Sequence, residues 1–279
     1  MRPPIEEAFP RPSVIGVVNV TPDSFSDGGV FLDPDCAAAR AFVLAEEGAA
    51  LVDVGGESTR PGSVGVSADE ELARVVPVLE RIGNRVPVSI DTSKAEVARR
   101  AIELGAVLVN DVTAFRSDPE LVGVVADAGA YLCLMHMLGE PRTMQDDPRY
   151  DDVVDEVAAF LEERLAFAVS SGVREDHVCL DPGIGFGKTV EHNLELLGRL
   201  GELVALGRPV LVGASRKRFL GRILGQPEAL TGPVAAGVAT SVLAYERGAS
   251  FFRVHDVAEH VQALRTAEAV EGVGTRPRS

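Results

Sequence analysis

Eight short apolar runs, spread along the whole chain, constrain the fold more than any other feature of this sequence. Each run ends in a polar residue or a glycine-rich turn and is followed by a helical pattern. The runs are Val14–Val20, Leu51–Glu57, Val86–Thr92, Leu108–Thr113, Tyr131–Met137, His177–Gly183, Pro209–Ser215 and Phe251–Val257. Eight strand–helix units in 279 residues predict an α/β fold with a single closed (β/α)8 TIM barrel. Because such barrels carry their chemistry at the carboxyl ends of the strands, the residues there become the candidate site.

The apolar runs have the pattern of strands that are covered on both faces. Val14–Val18 and Pro209–Val212 are continuously apolar rather than alternating, as a parallel sheet with both faces covered requires. Between the runs, Ser67 followed by Glu70 predicts a capping box at the start of one helix. Four helices are predicted with defined ends, at Pro34–Gly48, Ala68–Ile82, Asp151–Ser171 and Val234–Arg247.

The domain organisation follows from the same pattern. We predict a barrel over residues 13–271, a flexible N-terminal arm at 1–12 and a C-terminal tail at 272–279. The arm has no apolar stretch of the kind that a secretion signal requires, and no run reaches the roughly 20 apolar residues that cross a bilayer. Cys36, Cys133 and Cys179 lack a C-x-x-C spacing, and the last two are predicted to be small core residues. We therefore expect a cytoplasmic protein.

The formal charge limits the partners of the chain. Twenty-seven basic and 42 acidic residues give 27 − 42 = −15, which argues against nucleic acid and anionic membranes as partners. A small anionic substrate is compatible with this charge only if the site gathers its own cations.

The predicted strand ends gather polar residues of two kinds at one rim. Asp91, Asn110 and Asp181 supply carboxylates and an amide, which suit a flat heterocycle with amino and ring N–H donors. A second group is cationic and suits a phosphate or diphosphate. It consists of Arg60, Lys217, Arg253 and His255. The alternatives are that Asp91 and Asp181 only pair with Lys217 in a buried network, and that the cations form a solvated rim.

Two apparent motifs carry less weight. The segment Gly183–Thr189 resembles a phosphate-binding P-loop, but Pro182 stands where that motif requires glycine. The glycines are better explained by close approach of the backbone to a flat ligand, with Phe186 packing on it. The five histidines lie on different elements, so a tightly held protein metal is not predicted. A Mg²⁺ ion that a diphosphate carries and Asn19 touches is compatible with the sequence.

Eight segments at these strand ends resemble dihydropteroate synthase, in the order of that family and over nearly the whole chain. They are Asn19–Gly29, Glu57–Gly62, Ser89–Thr92, Asn110–Val112, Met135–Met137, Leu180–Lys188, Ser215–Lys217 and Arg253–Asp256. The resemblance implies a folate-biosynthesis transferase. Its reaction would be the condensation of 6-hydroxymethyl-7,8-dihydropterin diphosphate with para-aminobenzoate, giving 7,8-dihydropteroate and diphosphate. It further implies Mg²⁺ as cofactor, a homodimer and the class of sulfonamide targets, although the sensitivity of this chain stays open. We predict an SN1-like displacement, because the neutral aromatic amine needs no strong base and aimed charges can stabilise the departing diphosphate.

The resemblance also assigns roles to residues. Those implied to be catalytic are Asp27, Arg60, Asp91, Asp181 and Lys217. Those implied to bind the pterin diphosphate are Thr59, Asp91, Asn110, Met135, Asp181, Phe186, Lys217, Arg253 and His255, with Asn19 touching the Mg²⁺ ion. The para-aminobenzoate side is implied to consist of Phe25, Arg60, Pro61 and Ser215, with the loops after the first two strands closing over the site.

Three other functions compete with this assignment. A methyltetrahydrofolate:corrinoid methyltransferase shares a pterin-binding barrel but needs no diphosphate cradle, so Arg253 and His255 argue against it. A catalytically silent pterin-binding paralogue is expected to have lost loop residues, whereas Phe25, Asp27 and Arg60 are present. An aldolase-like barrel would use Lys217 as a Schiff-base lysine.

Overall fold

Eight parallel strands form the barrel that the sequence predicts. The computed structural model describes residues 2–21 and 33–274. The strands are β1 Ser13–Asn19, β2 Leu51–Gly55, β3 Val88–Asp91, β4 Ala106–Asp111, β5 Tyr131–Met135, β6 Val178–Asp181, β7 Leu211–Val212 and β8 Phe251–Val254. They pair in the order β6-β5-β4-β3-β2-β1-β8-β7, and a bridge between Leu180 and Val210 joins the two ends of this order. The TIM-barrel prediction is confirmed.

Helices lie between the strands. They are α1 Ile5–Ala8, α2 Pro34–Glu46, α3 Ala68–Ile82, α4 Ala95–Glu103, α5 Leu121–Ala128, α6 Val153–Ser170, α7 Val190–Gly198, α8 Leu200–Val204, α9 Arg218–Ile223, α10 Val234–Glu246 and α11 Val257–Gly274. The four predicted helices correspond to α2, α3, α6 and α10, with ends within two residues of those expected. Ser67 accepts a hydrogen bond from the Glu70 backbone, which is one half of the predicted capping box; the other half does not form, because the Glu70 side chain pairs with Arg74. In the described part of the chain, every helix is too short or too polar to cross a membrane.

Alternation along each strand divides the core into two parts. In β2, Val52 and Val54 pack outward against the helices, whereas Leu51 and Asp53 point into the barrel. The lower part of the barrel interior is an apolar cluster of Ile5, Ile15, Leu51, Leu108, Tyr131, Cys133, Cys179, Leu211 and Phe251. Cys133 and Cys179 are fully buried free thiols, which confirms their prediction as core residues. Above this cluster the interior becomes polar.

The N-terminal residues differ from the loose arm that the sequence suggests. Ile5 in α1 is fully buried at the base of the barrel, and Tyr131 donates its hydroxyl proton to the Pro3 carbonyl. Arg174 likewise donates to the Arg2 carbonyl. Residues 2–12 therefore pack against the barrel, because their few apolar side chains cover the open bottom of its interior. The predicted tail begins inside α11, and residues 275–279 lie outside the described chain.

Candidate active site

A cavity of about 840 Å³ opens at the carboxyl ends of the strands. Thirteen of the residues that the sequence singles out line it together. They are Asn19, Thr59, Arg60, Pro61, Asp91, Asn110, Met135, Asp181, Phe186, Ser215, Lys217, Arg253 and His255. The structure thus brings residues from loops and strands far apart in sequence to one place. Phe25 and Asp27, which the sequence also predicts, lie outside the described residues.

The cavity floor holds an ion-pair network that spans the barrel. Arg253 on β8 donates from Nε to Asp53 Oδ2 at 2.6 Å and from Nη2 to Asp91 Oδ2 at 2.7 Å. Asn110 Nδ2 lies 3.5 Å from the same oxygen of Asp53. The sequence grouped Arg253 with the cations that face an anion, but its guanidinium is turned down onto two acids. The sequence left open a buried network in which Asp91 pairs with Lys217. In the structure, Asp91 pairs with Arg253 instead.

Asp91 and Asp181, the two acids that the sequence predicts for the site, hold their protons more strongly than ordinary aspartates. Burial raises the pKa of Asp91 to about 7, although the charge of Arg253 acts in the opposite direction. Burial also raises the pKa of Asp181 to about 6, against the hydrogen bond from the Gly183 backbone and the charge of Lys217. Asp181 uses Oδ1 to accept this hydrogen bond at 2.7 Å, which leaves Oδ2 for a ligand. Acids with pKa values near neutrality are typical of functional sites.

One wall of the cavity is the turn that follows β6, residues 183–187. Each of its last three carbonyls accepts a hydrogen bond from a side chain outside the turn. Gln145 donates to Gly185 O at 2.8 Å, Lys188 to Phe186 O at 3.0 Å and Tyr150 to Gly187 O at 2.8 Å. The Phe186 ring that this turn presents lies 3.9 Å from Lys217 Nζ, a cation–π contact. The turn is therefore a preorganised surface for a flat ligand.

Lys188 is a buried cation that the sequence did not assign to the site. Its ammonium also bonds to His136 Nδ1 at 2.9 Å, and burial lowers its pKa to about 7. Burial likewise lowers the pKa of His136, to about 2, so the ring is a neutral acceptor for Lys188. The pKa of Lys217 is lowered as well, to about 8, by burial and by the charge of Arg253.

The Gly183 backbone cannot carry a side chain in this turn. Its φ is +67°, and a Cβ atom would lie 1.9 Å from the His136 carbonyl oxygen. We expect Gly183→Ala to lower the free energy of unfolding by about 2–4 kcal/mol, because backbone strain and overpacking add. Gly62, with φ +83° and nothing within 4 Å of a Cβ, is the matched control. Gly62→Ala should cost only about 1 kcal/mol. Equal midpoints for both variants in urea unfolding would contradict this explanation.

The opposite rim is formed by Ser215, after β7, and His255, after β8, which is the parallel neighbour of β7. Ser215 Oγ lies 3.3 Å from His255 Nδ1 and accepts from the His255 backbone at 3.2 Å. Burial, with the nearby charges of Arg216 and Arg253, lowers the pKa of His255 to about 3. His255 is therefore neutral near pH 7, which corrects its sequence-based placement among the cations. It can still donate one N–H to an anion.

Comparison with known proteins agrees with the class that this barrel and its cavity define. Residues 15–255 match the family described as pterin binding enzyme. The dihydropteroate synthase of Escherichia coli K12 is 46% identical over 263 residues, 93% of this chain and 92% of that protein. The chain belongs to the pterin-binding enzymes, and among them to the dihydropteroate synthase family.

Solved structures of this family superpose closely. Xanthomonas albilineans dihydropteroate synthase with 4-aminobenzoic acid has a TM-score of 0.86 at 48% identity, with 96% of this chain and 95% of that chain covered. The same enzyme in complex with 7,8-dihydropteroate has a TM-score of 0.83 at 46% identity, with 96% and 95% covered. The fold and the order of the site-bearing strands are thus those of enzymes solved with these ligands.

Proposed function

We propose that this chain catalyses the dihydropteroate synthase reaction in the cavity described above. It joins 6-hydroxymethyl-7,8-dihydropterin diphosphate to para-aminobenzoate and releases diphosphate. The observation that carries the proposal is one cavity with acids on its floor, an aromatic wall and donors at its rim. The acids and the aromatic wall suit a pterin ring, and the donors at the rim suit a diphosphate.

The pterin ring is assigned to the floor. The free Oδ2 of Asp181 and the carboxylate of Asp91 accept N–H groups of the ring, and Asn110 supplies an amide at the same depth. Phe186 and Met135 pack on the ring faces, and Lys217 Nζ, held over Phe186, donates to a ring acceptor. This arrangement fixes the exocyclic methylene near the mouth of the cavity, where the second substrate arrives.

The diphosphate is assigned to the rim, with Thr59, Arg60 and the His255 N–H as donors and Arg253 as a charge beneath them. As the C–O bond to diphosphate breaks, these groups stabilise the negative charge on the leaving oxygen. The methylene that remains becomes positive, and the floor acids Asp91 and Asp181 stabilise that charge through the ring. The neutral aromatic amine then attacks with its lone pair and loses a proton, so no strong base is required.

The para-aminobenzoate side is assigned to Arg60, Pro61 and Ser215, with Phe25 and Asp27 from the loop after β1 as further predicted contributors. Pro61 and Arg60 are exposed at the cavity edge, where a second substrate enters above the pterin.

The homodimer and the cytoplasmic location stay predictions, and exposed apolar side chains such as Leu224 and Leu243 offer surface for self-association.

Magnesium fits the site only as an ion that the substrate brings. Among residues 2–21 and 33–274, no three His, Cys, Asp or Glu side chains gather as metal ligands. Asn19, at the end of β1, offers one amide oxygen at the cavity wall, and Mg²⁺ commonly combines one or two protein oxygens with substrate phosphates. Bound there, Mg²⁺ would neutralise charge on the departing diphosphate.

The assay that tests the function combines the purified chain with pterin diphosphate, Mg²⁺ and para-aminobenzoate. We expect equimolar 7,8-dihydropteroate and diphosphate, detected by chromatography and by a coupled phosphate assay. Chelation of Mg²⁺ should abolish the product, and added Mg²⁺ should restore it. Release of diphosphate without formation of dihydropteroate would reject the proposed second substrate.

A further inference from the structure

The loop that follows β2 is closed at its base by one side chain. Glu57 stands two residues after the strand, and its Oε1 accepts a hydrogen bond from the Val66 backbone at 3.1 Å, nine residues along the chain. The segment in between carries Thr59, Arg60 and Pro61, which line the cavity. Glu57 itself is not among the cavity-lining residues. Glu57 therefore acts on the cavity through the loop.

The other oxygen of Glu57 is fixed to the body of the barrel. Lys94, the residue before α4, donates to Glu57 Oε2 at 2.5 Å and to Glu71 Oε2 at 2.5 Å. The Glu71 side chain is fully buried, and those of Lys94 and Glu57 are about one-fifth exposed. Burial would lower the pKa of Lys94, but the hydrogen bonds that it donates to Glu57 and Glu71 raise this pKa above its ordinary value. The central cation of this cluster therefore keeps its charge at any physiological pH.

Close packing beneath the loop leaves little freedom at this anchor. A Cβ atom at Gly65 would lie 2.8 Å from Glu57 Oε1, and one at Gly56 would lie 2.7 Å from a Val75 methyl carbon. Arg74 on α3 donates to the Gly56 carbonyl at 2.7 Å. The strand end is thus held against α3, and the returning chain packs closely on the Glu57 carboxylate.

The tip of the loop has its own hydrogen bonds. Gly62 donates its backbone N–H to the Pro141 carbonyl at 3.0 Å, and Ser63 donates to the Arg60 carbonyl through both its backbone and its hydroxyl. These bonds shape the tip and connect it to another surface loop. The base of the loop is connected to the barrel through Glu57 and Lys94.

We propose that Glu57, held by Lys94 and Glu71, is a positioning residue that sets the geometry of the Thr59–Pro61 segment for the second substrate. The inference rests on the proposed function, which assigns this segment to the para-aminobenzoate side. Loss of the anchor lets the segment sample open positions, and the productive geometry must then be selected during binding. The pterin ring should be unaffected, because its assigned contacts come from β3, β4, β5, β6, the turn after β6 and the residues after β7.

The test compares Glu57→Ala with Glu103→Ala. Glu103 is the last residue of α4, the helix that Lys94 precedes, and pairs with Arg100 at the exposed surface, so it is the matched control. For Glu57→Ala we expect the KM for para-aminobenzoate to rise about tenfold or more, since a hydrogen bond to a charged group is lost. Binding of 6-hydroxymethylpterin, a ring without diphosphate, should stay as in the wild type. Glu57→Gln keeps an acceptor for Val66 but not the charge for Lys94, and should fall between the two.

A reporter in the loop makes the inference independent of activity. The chain contains no tryptophan, and Val64 is 77% exposed, so Val64→Trp places a single fluorophore on the segment. Its anisotropy should fall when Glu57→Ala is added and not when Glu103→Ala is added. Unchanged anisotropy, or an unchanged KM for para-aminobenzoate, would overturn the inference. If the wild type forms no dihydropteroate, the proposed function fails, while the anisotropy still decides whether Glu57 holds the loop.

Discussion

Asp181→Asn should lower kcat/KM for the pterin diphosphate by about 10²–10³-fold, with the fold intact. The amide keeps an oxygen for the Gly183 N–H but removes the negative charge that faces the ring. Loss of one preorganised electrostatic partner of a developing charge typically has this magnitude. Asp91→Asn should act in the same direction, and near wild-type turnover of either variant would remove the assigned role. Steady-state kinetics with para-aminobenzoate at saturation provide the measurement.

Asp176 provides the matched control for this change. It precedes the same strand, β6, at the opposite end of the barrel, where it pairs with Arg174 at the surface. Asp176→Asn should leave kcat/KM unchanged.

A second readout is pH: the pKa of Asp181 is about 6, and only the carboxylate accepts two N–H bonds. Wild-type binding of 6-hydroxymethylpterin should therefore weaken as pH falls below about 6, and this dependence should be reduced in Asp181→Asn.

The barrel could be predicted from sequence because its signals are local and repeated. Continuously apolar runs reveal parallel buried strands, and capping residues such as Ser67 mark where helices begin. The extent of the strands could not be predicted as well. The predicted run Pro209–Ser215 contains a strand of only Leu211–Val212, because β7 joins β6 by a bridge rather than a full ladder. Nor does sequence reveal that Ile5 seals the base, since one isoleucine in a charged segment is no signal of packing.

The site was predictable to the extent that parallel strands carry their carboxyl ends to the same rim. That rule brought Asp91, Asn110 and Asp181 together correctly, but it does not say which charges meet across the barrel. Arg253 and Asp53 are 200 residues apart, and only the closed fold places them in contact. An acid between Leu51 and Gly55 in an apolar run was the available signal for Asp53. For Gln145 and Tyr150, which hold the turn after β6 from a long loop, the sequence has no such signal.

Removing Arg253 should have the largest effect on stability of any single change at the site. Its guanidinium neutralises Asp53 and Asp91, whose side chains are 1% and 7% exposed. Arg253→Met leaves both carboxylates buried without this partner, and we expect the free energy of unfolding to fall by about 3–5 kcal/mol at pH 8. Activity should fall with it, since the rim loses a charge beneath the diphosphate. Arg253→Lys, which keeps a charge but cannot bond both acids as a fork does, should lie between.

The pH dependence of this loss separates uncompensated charge from lost packing. With Arg253 present the pKa of Asp91 is already about 7, and Arg253 acts to lower it, so its removal raises that pKa further above the ordinary value of 3.8. The folded variant then binds more protons than its unfolded chain, and its stability relative to the wild type should rise as pH falls from 8 to 5. Asp53→Asn added to Arg253→Met should recover part of the loss at pH 8, because one of the two unpaired charges is gone. If the loss in free energy of unfolding is the same at pH 8 and pH 5, the effect comes from the volume of the arginine side chain. The pairing of Arg253 with Asp53 and Asp91 would then not be the charge balance on which the proposed catalysis depends.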